Sequence, residues 1–458
     1  MLTLTFFGGA KTVTGANYLL EEELPDHSKT RILIDCGLQQ GSYYSDRKNF
    51  EPFPYDPSTI DALLITHAHI DHTGCIPKLV KQGFKGTIFS TPPTKDCAEH
   101  LLIDSENLLR KEAEERKLPP LYTIEDVNHA LGIWHKIPYH QKIQINSMEL
   151  EFYDAGHTLG SSFIVINTKE KKRIVFSGDL GNSPMPLVKE KENLPKADYV
   201  VLESTYGNRI HEGVRQRKRI LKEVLKETIQ RKGVLLMPAF AMERTQQILY
   251  EMNDMVENNE VPRISVFMDS PLAIKLTSIY KKYSENPDYM DGEALSRTRK
   301  GDAIFDFPGL VFTLTTEQSK AINDASAPKI IIAGSGMSQG GRILHHEYRY
   351  LSDAKNTILF IGYQAKNSRG REILDGAKMI PIFGEKIPIL CNVRLISGYS
   401  SHADQTQLIR WVEPKRTALQ KIFLVQGEEE AMLSLAQKIE TTLRVNTMIP
   451  SSGNTIVL

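Results

Sequence analysis

Apolar and polar residues alternate in short runs through the first 205 residues. Side chains two apart on an extended chain share a face, so such runs predict half-buried strands. Strands are expected at 2–7, 18–23, 31–35, 62–66, 87–90, 142–145, 149–153, 162–167, 173–177 and 199–203. Turns rich in Gly, Pro and Asp separate them. Helices are expected at 76–82 and 93–115, the second ending in the charged run KEAEERK. Such a run reads as a solvated helix face.

Beyond residue 206 the pattern changes. Continuous apolar runs at 234–239, 264–269, 330–333 and 357–361 alternate with helical stretches at 214–231, 243–257, 272–283 and 342–351. Strands apolar on both faces, separated by helices, predict a covered parallel sheet. After about residue 386, short strands return at 393–396 and 422–425, with helices at 404–412 and 428–443. The chain therefore reads as one β-rich unit, 1–205 and 386–458, interrupted by an α/β insertion at 206–385. A length of 458 residues also exceeds what one ordinary core accommodates.

Charge and cysteines narrow the class. Basic and acidic residues balance at 56 each, which excludes a globally basic nucleic-acid binder but leaves room for a local positive groove. The four cysteines are scattered, with no CxxC pair. A reducing cytoplasm is the expected setting. The N-terminus lacks the basic and apolar regions of a signal peptide, and no apolar run reaches the length of a membrane span.

The strongest chemical signal is Thr66-His67-Ala68-His69-Ile70-Asp71-His72, directly after the apolar run ALLI. In an extended segment His67 and His69 face the same way and can approach one ion. Asp71 and His72, on the next turn, can reach a second. Imidazole with carboxylate suits zinc in an open, catalytic site. His157 and Asp179 each follow a predicted strand. A third imidazole can complete the first set, and a carboxylate can bridge two ions. Asp35, ending ILID, suits either a strand-end turn or a hydrogen bond that orients a ligand. Two such ions activate hydroxide against phosphorus or carbonyl carbon, and the motif does not choose between them.

Taken in order, Asp35, HAHIDH, His157 and Asp179 resemble the first four motifs of the metallo-β-lactamase fold. LESTYG at 202–207, PAFA at 238–241 with Arg244-Thr245-Gln246, AGSGM at 333–337 with Gly340-Gly341-Arg342, and SSHAD at 400–404 resemble the β-CASP motifs. The resemblance runs through essentially the whole chain. It is similar to bacterial and archaeal β-CASP ribonucleases and to the endonuclease subunit of eukaryotic pre-mRNA 3′-end processing.

The resemblance implies an α/β architecture: a four-layer αββα metallo-β-lactamase fold with an inserted parallel-sheet β-CASP domain. It implies that His67, His69 and His157 hold one zinc, that Asp71 and His72 hold another, and that Asp179 bridges. Glu203 would pair with His402, which would protonate a leaving oxygen or orient a phosphate; read from the residues alone, His402 is a capping or surface residue. Relatives that act on RNA carry a histidine in a final LVHGE-like motif. Here the segment is FLVQGE, with Gln426 in its place. An amide is a poor zinc ligand beside an imidazole, so one or two ions are expected, the second weakly held.

The implied activity is hydrolysis of phosphodiester bonds in single-stranded RNA, as an endonuclease or also from the 5′ end. Arg244, Ser335, Gly336, Gly341 and Arg342 are the substrate-binding candidates. The glycines of GSGMSQGGR either gather backbone N–H groups around an anion or make a tight turn. Basic residues at 215–219 and Lys366, Arg369 and Arg371 are either a solvated face or phosphate contacts. A homodimer is compatible with this reading. Two rivals stand beside it: a small-molecule thioester or lactone hydrolase of the same fold, and an RNA-binding subunit impaired by Gln426.

Overall fold

A computed structural model describes residues 1–40, 47–211, 213–362, 364–365 and 367–458. Two compact units emerge. The first comprises 1–183, 190–210 and 402–458, and the second comprises 184–189 and 211–401.

The first unit contains two seven-stranded sheets. One runs in the order Asn454–Val457, Leu2–Gly8, Asn17–Glu23, Lys29–Ile34, Ala62–Leu64, Thr87–Ser90, Trp134–Lys136. The other runs Thr447–Met448, Lys421–Val425, Tyr199–Glu203, Arg173–Phe176, Ser162–Asn167, Met148–Asp154, Ile143–Ile145. Leu2–Gly8 and Met148–Asp154 bury every second residue, as their alternation predicts. Their inner faces share one core: Leu4, Phe6, Leu20 and Ile32 pack with Phe152, Ile164, Ile174 and Phe423. The outer face of the second sheet buries Val175, Val200 and Leu424 with Leu408, Trp411, Leu435 and Ile439. Those last four lie on the helices Gln405–Val412 and Glu429–Leu443. On the other side lie the helices Ile76–Lys81 and Pro92–Arg116, whose Leu79 and Leu102 are buried. The layers are thus helix, sheet, sheet, helix, as expected.

Strands from both sheets end at one rim. Asp35 follows Lys29–Ile34, His67 follows Ala62–Leu64, and His157 follows Met148–Asp154. Asp179 follows Arg173–Phe176, Glu203 closes Tyr199–Glu203, and Gln426 follows Lys421–Val425.

The second unit is built on a parallel sheet of six strands. Their order is Leu310–Phe312, Ser265–Asp269, Lys329–Ala333, Val234–Pro238, Thr357–Ile361, Asn392–Ile396. The sequence reading ends the insertion at 385 and gives the strand near 393 to the C-terminal segment. Instead, Asn392–Ile396 pairs in register with Thr357–Ile361, and this unit extends to Ser401. Periodicity identifies a strand but carries no information about its partner.

One residue of the basic run at 215–219, Arg217, differs from a solvated face. Arg217 is only 1% exposed. It pairs with Glu251 at 3.2 Å and lies 5.0 Å from the Tyr399 ring centre. Lys218 pairs with Asp254. Arg217 is thus an interior residue, whereas Lys218 is half-exposed and Arg219 is exposed. The Arg215 side chain and Lys366 lie outside the described residues. Among the described residues, no helix is long and apolar enough to cross a membrane.

Candidate metal centre

The strand before the histidine motif stops at Leu64, and Ile70–Thr73 forms one short helical turn. His67 and His69 therefore converge from a loop rather than from the pleat of a strand. His67 Nε2 lies 3.0 Å from His69 Nδ1 and 3.4 Å from Asp179 Oδ2. His157 Nε2 lies 3.3 Å from His69 Nδ1 and 3.5 Å from Asp179 Oδ2. Atoms from all four side chains fall within 4.8 Å of one another. Three imidazoles and a carboxylate at that spacing make a donor set that fits one metal ion.

Close backbone approach makes this convergence possible. A Cβ on Gly181 would come 1.8 Å from the Gly156 carbonyl oxygen, and one on Gly37 would come 1.6 Å from that of Asp71. Only glycine permits these contacts. Ser161 fixes the neighbouring turn, its hydroxyl accepting from the N–H of His157 at 2.9 Å and of Thr158 at 3.1 Å.

Thr66 links the histidines to Asp35. Its N–H and its hydroxyl donate to the two oxygens of Asp35, each at 2.8 Å. Its oxygen lies 3.1 Å from His67 Nδ1. Since the Thr66 proton goes to Asp35, His67 Nδ1 is the donor to Thr66, and His67 Nε2 carries the lone pair. Asp35 Oδ2 also takes His72 Nδ1 at 2.7 Å. The sequence reading quotes Thr66 in its motif without giving it a role; the structure makes it the tie. Thr66→Val is expected to weaken metal affinity about 10–100-fold, as read by zinc titration. Affinity equal to the native chain's would show that the tie does not position His67.

The electrostatics follow from burial and crowding. Burial first, and then the neighbouring His72, push His67 below its usual value, favouring the neutral imidazole that binds metals. Burial would raise Asp179, but His72, His402 and His67 hold its carboxyl well below the usual range. Asp179 stays anionic and presents Oδ2 to the three-histidine side. Its Oδ1 lies 3.4 Å from His72 Nε2, and Asp71 Oδ2 lies 3.9 Å from that nitrogen.

Glu203 and His402 meet, with His402 Nδ1 3.2 Å from Glu203 Oε2 and 3.7 Å from Asp179 Oδ2. The N–H of Ala403 donates to Leu180 O at 2.7 Å, holding His402 beside this strand end. Capping of the following helix falls to Asp404, which accepts from the Gln407 N–H at 2.9 Å. Gln426 enters the cluster as well: its amide nitrogen lies 2.8 Å from both His72 Nε2 and Asp179 Oδ1.

The substrate-binding candidates lie in the second unit. Arg244 donates to Ser401 Oγ at 2.9 Å. Of the two readings of the segment 334–342, the hydrogen bonds describe a turn capped from within. The N–H groups of Gln339 and Gly340 donate to the Ser335 hydroxyl at 3.0 and 3.2 Å. Gly336 packs against Phe240, and Gly341 has φ +74. Arg342 donates to Asp269 at 2.7 Å and to the carbonyls of Thr313 and Leu314. Its guanidinium is engaged inside its own unit. His346 is buried against Asp269 at 2.7 Å.

The four-layer fold, with this donor set at its rim, defines a metal-dependent hydrolase. Three domain models match the chain. The metallo-beta-lactamase superfamily domain covers 25–183, the Beta-Casp domain 245–373, and the Zn-dependent metallo-hydrolase RNA specificity domain 386–450. A ribonuclease of Thermus thermophilus is 36% identical over 94% of this chain and 94% of its own. An RNase J-like protein of Methanocaldococcus jannaschii is 30% identical over 99% of each. A crystal structure of a protein of unknown function from Enterococcus faecalis V583 shares the fold over 100% of both chains, with a TM-score of 0.56 at 12% identity. The chain belongs to the β-CASP family of the metallo-β-lactamase superfamily.

Proposed function

We propose that this chain is a zinc-dependent ribonuclease that cleaves single-stranded RNA endonucleolytically. One observation carries the reading: four ligand atoms from distant segments lie within 4.8 Å of one another, in a chain that matches an RNA specificity domain over 386–450. The identity to the Thermus ribonuclease supports the substrate class.

His67, His69, His157 and Asp179 hold the ion. When bound, it supplies Lewis acidity to the reaction. Thr66 and Asp35 keep His67 in the tautomer that leaves Nε2 for the metal. Asp71 places a second carboxylate beside Asp179. Glu203 fixes His402 through Nδ1, and His402 Nε2 delivers the proton to the leaving 3′ oxygen. The cluster is complete within one chain, so this chemistry does not require a dimer. The four cysteines are buried, which supports a reducing, cytoplasmic setting.

Labelled single-stranded RNA, single-stranded DNA and a thioester are offered separately to the zinc-loaded chain. Internal cleavage of RNA alone is the expected result. Thioester turnover without RNA cleavage would replace this reading with the small-molecule one. RNA binding without any cleavage would replace it with the impaired subunit. Comparing 5′-triphosphate with 5′-monophosphate RNA separates internal cutting, which is indifferent to the end, from 5′-end degradation.

A further inference from the structure

We infer that the side-chain amide of Gln426 takes the place of a second metal ion, so that this centre holds one ion per chain. The inference rests on the metal centre proposed above and concerns its other half, where His72, Asp71 and the second oxygen of Asp179 meet.

The hydrogen bonds around His72 determine what that half can accept. Asp35 already receives two donors from Thr66. A carboxylate only accepts, so the 2.7 Å contact between His72 Nδ1 and Asp35 Oδ2 is a donation by His72. Burial opposes charge on His72, but Asp179 and Asp35 draw it toward its protonated form; in the neutral form that a metal ligand must take, its Nε2 atom carries a lone pair. Asp179 Oδ1 presents another. A metal ion at this position would draw on both.

Gln426 reaches both first. Its amide nitrogen lies 2.8 Å from His72 Nε2 and 2.8 Å from Asp179 Oδ1. An amide NH2 has two hydrogens, one for each acceptor. Against a neutral His72 the flipped amide would set its oxygen against two lone pairs, so in that form the hydrogen-bond network selects the NH2 orientation. A zinc ion needs ligand distances of about 2.0–2.2 Å. It cannot sit between these two atoms while an amide nitrogen is hydrogen-bonded to both.

Nor is the amide loosely placed. Gln426 is only 2% exposed. Its N–H donates to Gly9 O at 2.6 Å, and its carbonyl accepts from the Thr205 hydroxyl at 3.0 Å. The Tyr18 hydroxyl and the Gln426 side chain both border the space beside Gly9, where a side chain would otherwise stand. The glutamine thus acts as a neutral donor where an ion would bring charge. The three-histidine half is untouched, because it uses the other oxygen of Asp179.

The test is metal stoichiometry. The full chain, Gln426→His and Gln426→Glu are loaded with zinc alone, dialysed, and analysed for metal per chain. Cobalt loading follows, read by the magnetic coupling between paired ions. The left-handed backbone at Gln426, φ +51, is one that histidine tolerates. Thermal unfolding identifies any variant that fails to fold, and the glutamate variant keeps nearly the native shape. One ion in the native chain, rising to two coupled ions in a folded variant, is the expected result. Two ions in the native chain overturn this inference and leave the metal centre standing. One ion in the native chain and in both folded variants also overturns it, since the amide would not be what excludes the second. No ion in the native chain overturns the metal centre itself.

Discussion

His67→Ala is expected to leave the chain with less than one tightly held ion and to lower RNA cleavage by at least about 10³-fold. His67 is fully buried and stands at the middle of the donor set, with its Nε2 3.0 Å from His69 and 3.4 Å from Asp179. Alanine removes one of three imidazoles and leaves an incomplete coordination shell. A bound ion contributes several kcal/mol of charge stabilisation in the transition state, and each 1.36 kcal/mol is a factor of ten. Metal analysis and cleavage of a defined RNA should fall together. Full cleavage by a chain that has lost its metal would end the metal-hydrolase reading.

His402→Ala should lower cleavage by about 10²–10⁴-fold, the range for losing a general acid, with the metal content unchanged. His402 Nδ1 lies 3.2 Å from Glu203 and 3.7 Å from Asp179. In the reading proposed above it acts on the substrate rather than on the ion. A merely structural residue and a proton donor differ in one measurable way. RNA with sulfur in place of the bridging 3′ oxygen has a leaving group that needs no proton. On that substrate the gap between native and variant chains should nearly close. A gap of the same size on both substrates would assign His402 a positioning role only. Loss of metal in the variant would make it a ligand instead.

Much of this centre is legible in the sequence because its parts are local. HAHIDH is a contiguous run, and Asp35, His157 and Asp179 each stand just past a strand that its own periodicity identifies. A strand that ends at the rim delivers the following residue to the rim, whatever the rest of the chain does. The fold class is legible for the same reason: alternation over 1–205 and continuous apolar runs beyond it are properties of short windows. The features that escape this reading depend on pairing between distant residues. The strand Asn392–Ile396 has an ordinary strand pattern, and only its register with Thr357–Ile361 assigns it to the second unit. Arg217 looks like one member of a basic run, yet burial against Glu251 and Tyr399 makes it an interior residue. Ser335, Gly336 and Gly341 suit either an anion cradle or a tight turn, and only the folded loop shows the Ser335 hydroxyl capping it from within.

Gln426 marks the division most clearly. The resemblance to the family implied that an amide stands where related chains place an imidazole, and the residue's identity makes it a weak ligand. That this amide meets His72, 354 residues away, and offers a hydrogen to each of two lone pairs was decided only when both sheets closed on one core. The chemistry of a side chain is written in its identity. Its partners are set by packing, which brings together segments that share no local pattern.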